Sequence, residues 1–203
     1  MLITDPDQIK LLNRGADYYN GAAISDRFGY TMFRKDVRRV GNIVAFVSPC
    51  KVVADFMVDQ EDLLSNDFIY SDKMIHFLIE IPDLDLWGGV FFQRYFNTQI
   101  GFILSEYLPN GHNVRMKGDD ILVNYIKDGN EYLQKASVSI AKQKNGAVLI
   151  HTGINIEAGP TAPSFAYSTG LDEEQATLFI EECIRACNDI LHDTFIATCK
   201  IIA

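Results

Sequence analysis

The sequence predicts an α+β protein in which a central, largely antiparallel sheet is flanked by helices. Short β-branched and aromatic runs are gathered in the middle of the chain instead of alternating one by one with helices. Two segments, residues 96–108 and 173–199, carry apolar side chains at helical spacing. No repeat, low-complexity tract or long linker divides the 203 residues, so we expect a single domain over residues 1–203.

The first predicted strands lie between residues 43 and 81. An apolar run at residues 43–47 is interrupted by Ser48-Pro49, and apolar residues alternate again over residues 52–58. These two runs predict paired strands. A further strand is predicted over residues 74–81, where Pro82 ends the pattern.

The second half of the chain begins with the helix over residues 96–108, which Pro109-Asn110-Gly111 should end. Three apolar runs separated by turn sequences follow it. They predict a meander of strands over residues 121–126, 136–140 and 147–156.

The C-terminal part is predicted as a loop followed by a long helix. Glycine and proline residues favour a loop over residues 157–170. Asp172 is a candidate cap for the helix, and acidic residues follow it. Cys183, Cys187 and Cys199 lie on the apolar stripe of this helix, so we expect them to pack in the core rather than to bind a metal.

The charge balance limits the classes of partner. The chain has 18 Lys and Arg residues and 27 Asp and Glu residues, a formal net charge of −9. Nucleic acid is therefore an unlikely partner, because proteins that bind it generally carry a basic excess. We expect no secretory signal, no membrane span and no disulfide framework, which together favour a cytoplasmic location with reduced thiols.

Two charged clusters carry alternative interpretations. Arg34, Lys35, Arg38 and Arg39 could hold a phosphate, a nucleotide or an acidic partner, or they could form a solvated surface. The acidic pair Asp119-Asp120 could coordinate Mg²⁺ with a nucleotide, although acidic pairs beside turns are common.

Two further positions could contribute to chemistry. In Ser48-Pro49-Cys50-Lys51 a thiol is followed by a cation that would lower its pKa, which is one arrangement of a nucleophile. The alternative is a structural thiol. His76 shares strand parity with Glu80, and it could serve either a site or the packing of the strand.

Three segments together resemble a known superfamily. Residues 117–123 precede the lysine-bearing run of residues 135–140, and this run precedes Ile150-His151-Thr152-Gly153-Ile154-Asn155-Ile156. The order resembles the biotin and lipoate protein ligases and the octanoyltransferases. The segments of residues 43–62, 70–80 and 135–156 more closely resemble the family called domain of unknown function 366, which shares that fold.

This resemblance implies a biotin/lipoate ligase-like fold, related to class II synthetases, and a set of site residues. Lys135 would stabilise the negative charge that develops on an acyl oxygen, near Asp119 or Asp120. Cys50 would be a covalent acceptor in the same pocket and the one reactive thiol of the chain. The other expected substrate-binding residues are Ser48, Lys51, His76, Lys117, Asp119, Asp120, Ser137, His151, Gly153 and Asn155, and no metal ligands are expected.

The function implied is acyl transfer or acyl ligation on a small carboxylate or its activated form. The Arg- and Gly-rich nucleotide loops of the ligases and the Pro-Cys-Gly motif of the octanoyltransferases have no counterpart here. Use of ATP and Mg²⁺ therefore stays open. The alternatives are a non-catalytic module that binds a small acid or nucleotide, and an interaction protein that keeps only the fold. A homodimer is one alternative for the oligomeric state.

Overall fold

A computed structural model of the protein describes residues 1–33, 40–65 and 68–201. The basic cluster of Arg34, Lys35, Arg38 and Arg39 lies outside these residues, so its role in binding stays a prediction. In chain order the helices and strands are α1 (Pro6–Leu12), α2 (Phe28–Phe33), β1 (Asn42–Val52), α3 (Gln60–Ser65), β2 (Ile69–Pro82), α4 (Leu86–Tyr107), β3 (Asn113–Lys117), β4 (Asp120–Lys127), β5 (Asn130–Lys135), β6 (Ser137–Lys144), β7 (Ala147–Glu157) and α5 (Glu173–Cys199).

The strands form two antiparallel sheets. The main sheet has the order β1-β2-β7-β6, and the smaller sheet has the order β3-β4-β5. Long helices pack on the main sheet, which confirms the predicted α+β class with an antiparallel sheet flanked by helices. Among the described residues, no helix is both long enough and apolar enough to cross a membrane.

One face of the main sheet is covered by α4 and α5. Alternate residues of β2, such as Ile75, Phe77 and Ile79, pack against Phe96 of α4 and Phe179 of α5. Because strand side chains alternate between faces, the other residues of β2 point to the opposite side. There, N-terminal segments cover β1 and β2, and the surface of β6 and β7 is left to form the candidate site.

The long helices begin at aspartate caps. Asp172 accepts a hydrogen bond from the backbone N–H of Gln175, and the Gln175 side chain accepts one from the backbone N–H of Asp172. This reciprocal pair confirms Asp172 as the predicted cap. Helix α4 extends ten residues further toward the N-terminus than its predicted start at residue 96, and Asp85 caps it.

The prediction of a strand over residues 52–58 is wrong. Strand β1 continues through Ser48-Pro49 as far as Val52, with a shift of register between Ser48 and Cys50. Proline is tolerated here because β1 is an edge strand with a bulge. Beyond Val52 the chain forms a short 3₁₀ turn at Ala54–Phe56, and Phe56 lines a cavity instead of alternating in a sheet.

The predicted meander is correct in its turns and wrong in its pairing. Asn145-Gly146 forms the tight turn between β6 and β7, with φ of 51° and 72°. However, β4 pairs with β5 in the smaller sheet, whereas β6 joins the main sheet. The chain crosses between the sheets at Ala136, whose N–H donates to the Ile121 carbonyl and whose carbonyl accepts from the Asn155 N–H.

Candidate functional site

A cavity of about 460 Å³ lies over β6 and β7, on the face of the main sheet opposite α4 and α5. Pockets of this size hold a small organic molecule. Its apolar walls come from the segments around Ile24, residues 56–58 and residues 68–69, and from the loop that contains Pro163 and Phe165. Polar and charged residues also line it, namely Tyr19, Asp59, Tyr70, Asp119, Asp120, Lys135, Ser137, Ser139, His151 and Asn155.

Lys135 supplies a cation at this cavity. Its ammonium Nζ lies 2.6 Å from Oδ1 of Asp120, which confirms the prediction that an aspartate of the 119–120 pair would hold it. Both side chains are about one-third exposed, with 32 % relative accessibility each. The ion pair is therefore partly solvated, and a charged ligand can replace either partner.

The backbone of Lys135 is held on both sides. Its N–H donates to the Phe165 carbonyl at 2.7 Å, and its carbonyl accepts from the Tyr167 N–H at 2.8 Å. Lys135 also pairs with Leu122 of β4. The loop of residues 157–170 therefore fixes the main chain from which this cation projects.

Asp119 contacts different side chains from those that Asp120 contacts. Its carboxylate lies 3.6 Å from Nη2 of Arg94 and 3.4 Å from Nε2 of Gln93, both on α4. Magnesium prefers oxygen ligands and is usually held by one or two carboxylates together with substrate phosphates. Both carboxylates already have cationic partners, and no group of three or more His, Cys, Asp or Glu side chains within the described ranges could hold a metal ion. These residues therefore form no metal site made of protein side chains alone, and we derive no step through Mg²⁺.

Two histidines and a tyrosine form a stack beneath the cavity. Nδ1 of His76 lies 3.1 Å from Nε2 of His151, and Nε2 of His76 lies 3.2 Å from the Ser48 carbonyl oxygen. The Tyr19 ring stacks on both imidazoles, with its centroid 3.9 Å from that of His151. Burial lowers the pKa of His76 to about 3, and burial followed by the neighbouring His76 holds the pKa of His151 well below its usual value. Both rings are therefore neutral at pH 7.

Asn155 and Ser137 also reach the cavity. Asn155 is 5 % exposed, and its amide Oδ1 is buried without a hydrogen-bond partner in the described part of the chain. Ser137 Oγ accepts a hydrogen bond from the Ile121 N–H, which ties β6 to β4. The predicted residues Lys135, Asp119, Asp120, Ser137, His151 and Asn155 are thus brought to one cavity.

Cys50 does not share this cavity, and its surroundings argue against the predicted nucleophile. The side chain is fully buried, and burial raises the pKa of its thiol to about 12. A thiolate is the reactive form of cysteine, and this environment disfavours it. Lys51 does not compensate, because its side chain is exposed on the neighbouring position of the edge strand.

The remaining predicted residues lie outside the cavity lining. Ser48 is buried and its hydroxyl donates to the Pro49 carbonyl, while His76 lies beside His151 on the adjacent strand β2 and does not line the cavity. Lys117 is exposed at the end of β3. Gly153 packs against the Met74 sulfur, where a Cβ atom would clash, so its role is close packing of the sheet.

Sequence reasoning missed Tyr19 and the apolar walls of the cavity. Tyr19 lies in an irregular N-terminal segment and is joined to the sheet by a bridge with Cys50, 31 positions further along the chain. The alternation of apolar residues predicts that Phe56 and Val58 lie on one face of a strand. These apolar residues line the cavity because no strand pairs with their segment, and the local sequence does not show that.

Comparisons with known proteins place this geometry in a fold family. The family described as "Domain of unknown function (DUF366)" matches residues 8–202. Comparison with the curated proteins gave no match. Among solved structures, a protein of unknown function from Pyrococcus horikoshi is 25 % identical, with a TM-score of 0.75, and the alignment covers 92 % of this chain and 93 % of that chain.

Two further structures are more distant. The candidate lipoate protein ligase Ta0514 from Thermoplasma acidophilum, solved with bound lipoic acid, is 13 % identical with a TM-score of 0.51 over 95 % of this chain and 85 % of that chain. Biotin acetyl coenzyme A carboxylase synthetase from Helicobacter pylori is 10 % identical with a TM-score of 0.46, over 96 % and 76 % of the two chains. The fold is that of the biotin and lipoate ligases, and the chain belongs to the DUF366 family.

Proposed function

We propose that the cavity binds a small carboxylic acid or its activated acyl form, and that Lys135 stabilises negative charge on the acyl oxygen during transfer of the acyl group. The observation that carries this proposal is the Lys135 ammonium at a largely apolar cavity, projected from a main chain held on both sides. An apolar chain would occupy the walls, while its charged or polarised end would lie at Lys135.

The ion pair between Lys135 and Asp120 is consistent with binding of a carboxylate by Lys135. Asp120 and Lys135 neutralise one another in the absence of ligand, so an arriving carboxylate would compete with Asp120 for the ammonium. In acyl transfer, negative charge builds on the carbonyl oxygen as a nucleophile attacks the carbonyl carbon. A preorganised ammonium stabilises that charge more than it stabilises the neutral carbonyl. The lipoic acid bound to the related Ta0514 fold supports a carboxylic acid as the ligand class.

The first experiment measures binding. Isothermal titration calorimetry of octanoate, lipoate and biotin against the wild-type protein should identify a bound acid. Lys135→Ala should weaken that binding by about 10–100-fold, since hydrogen bonds to charged groups contribute about 1.5–3 kcal/mol. Lys51→Ala removes an exposed lysine outside the cavity and should leave the affinity unchanged. Equal affinities of the wild type and Lys135→Ala would contradict the proposal.

The second experiment separates an enzyme from a binding module. Release of free thiol from octanoyl-CoA with hydroxylamine as the acyl acceptor, measured above the rate without protein because hydroxylamine cleaves thioesters unaided, reports acyl transfer. Thiol release by the wild type that Lys135→Ala loses supports the enzyme. Binding of the acid without thiol release in the wild type favours the alternative, a non-catalytic module that retains the cavity.

A further inference from the structure

The hydrogen bonds below the cavity determine which nitrogen of each histidine carries the proton. A backbone carbonyl can only accept, so Nε2 of His76 donates to the Ser48 oxygen. In a neutral ring the other nitrogen is then bare, and Nδ1 of His76 must accept from its neighbour at 3.1 Å. Nε2 of His151 therefore carries the proton of that ring.

The same reasoning leaves Nδ1 of His151 as a bare acceptor. The described residues provide no hydrogen-bond partner for it, although His151 lines the cavity. The groups against this ring are Tyr19, which stacks on it, and His76, which holds its other nitrogen. Burial raises the pKa of Tyr19 well above its usual value, so neither neighbour is charged at pH 7. The lone pair on Nδ1 can be satisfied only by a donor within the cavity.

A second acceptor is found on the same strand face. Asn155 lies four residues after His151 on β7, so both side chains point to the cavity side of the sheet. Its Oδ1 is buried and unpartnered in the part of the chain that the structure describes. A buried acceptor without a partner is unfavourable, but Asn13, Asn42 and Asn124 carry buried unpartnered atoms outside the cavity lining, so this feature of Asn155 does not by itself indicate a ligand.

We propose that the acid bound in this cavity carries an N–H or O–H donor on its body, which His151 Nδ1 accepts. This inference rests on the proposed function and narrows its substrate class. A plain fatty acyl chain would leave Nδ1 of His151 unpaired, whereas a hydroxy, amide or ureido acid would satisfy it. Lys135 recognises the acid end, and the floor of the cavity recognises the donor.

The first test reads the proton positions directly. Long-range ¹H–¹⁵N spectra of protein labelled at histidine should show His76 and His151 protonated only at Nε2 near pH 7. Exposed His192 serves as the control and should show averaged tautomers. A proton on Nδ1 of His151 would overturn the inference without the need for any variant.

The second test compares octanoate with the positional isomers of monohydroxyoctanoate by calorimetry. At least one isomer should bind about tenfold more tightly than octanoate, the value expected for one added hydrogen bond. That isomer should also shift the His151 Nδ1 resonance. His151→Phe should abolish the tenfold difference in affinity between that isomer and octanoate.

The outcomes separate this inference from the proposed function. If octanoate and every hydroxy isomer bind equally well in a Lys135-dependent way, the proposed function stands and the donor requirement is wrong; a water molecule then satisfies His151. If none of the acids binds, both are wrong.

Discussion

Lys135 and His151 are fixed by different means, and the difference decides what each can do. Lys135 is anchored through its backbone, while its side chain is partly solvated and paired with Asp120. His151 is anchored through its side chain, by a hydrogen bond and by ring stacking. Asp120 therefore holds the lysine ammonium until a ligand replaces that carboxylate, whereas the histidine presents one acceptor in one direction.

At the same scale, the cysteines should differ sharply in reactivity. Cys50, Cys183 and Cys187 are buried, and burial raises the pKa of each thiol, whereas Cys199 is exposed at the end of α5. Native protein treated with iodoacetamide should therefore be alkylated first at Cys199, as measured by peptide mass spectrometry. This order reverses the sequence prediction, which places the one reactive thiol at Cys50 and packs Cys199 in the core. Denatured protein, in which all four should react, is the control, and labelling of Cys50 before Cys199 would contradict the burial.

At the scale of elements, the capping box of α5 should contribute measurably to stability. Asp172→Ala removes the acceptor for the Gln175 N–H at the first turn of the helix. The free energy of unfolding should fall by about 1 kcal/mol, as is typical for loss of an aspartate cap. Urea denaturation measures the change. Glu181→Ala, an exposed substitution further along the same helix, should have little effect.

The elements that the sequence predicts well are those with local signals. Caps, helical spacing and Asn-Gly turns act within a few residues, so α5, the end of α4 and the β6–β7 turn could be predicted. The pairing of β6 with β7 rather than with β4 depends on a crossing at Ala136 that involves both sheets. A local pattern does not contain that information.

The residues of the candidate site also divide into those that local motifs predict and those that depend on contacts between distant segments. Resemblance of short motifs was enough to bring Lys135, His151 and Asn155 to one site. The contact between His76 and His151 joins residues 75 positions apart, and it exists only because β2 and β7 pair with a defined register. The prediction of a reactive thiol at Cys50 is wrong because the sequence shows a neighbouring cation but not the burial of Cys50 on a strand bridged to Tyr19.

For the whole molecule, one buried cluster joins the two sheets and the two long helices. Ile121 and Val123 of β4 lie in the same cluster as Phe77 of β2, Phe96 of α4 and Phe179 of α5. A perturbation inside the main sheet should therefore change the free energy of unfolding of the whole chain. Protonation of the buried histidines His76 and His151 is such a perturbation.

The last prediction concerns the stability of the whole chain in acid. The pKa of His76 is about 3 in the folded protein and about 6.5 in an unfolded chain, so the unfolded state takes up the proton first as the pH falls. His76 alone should therefore lower the free energy of unfolding by about 2 kcal/mol between pH 7 and pH 5, and His151, whose pKa is lowered in the same direction, should add to this loss. Urea unfolding at the two pH values measures it. His76→Gln can keep both hydrogen bonds but cannot titrate, so its loss should be smaller than that of the wild type by about 2 kcal/mol. His192→Gln, at an exposed position, should behave like the wild type. An equal loss in His76→Gln and the wild type would show that His76 is not held neutral by the fold.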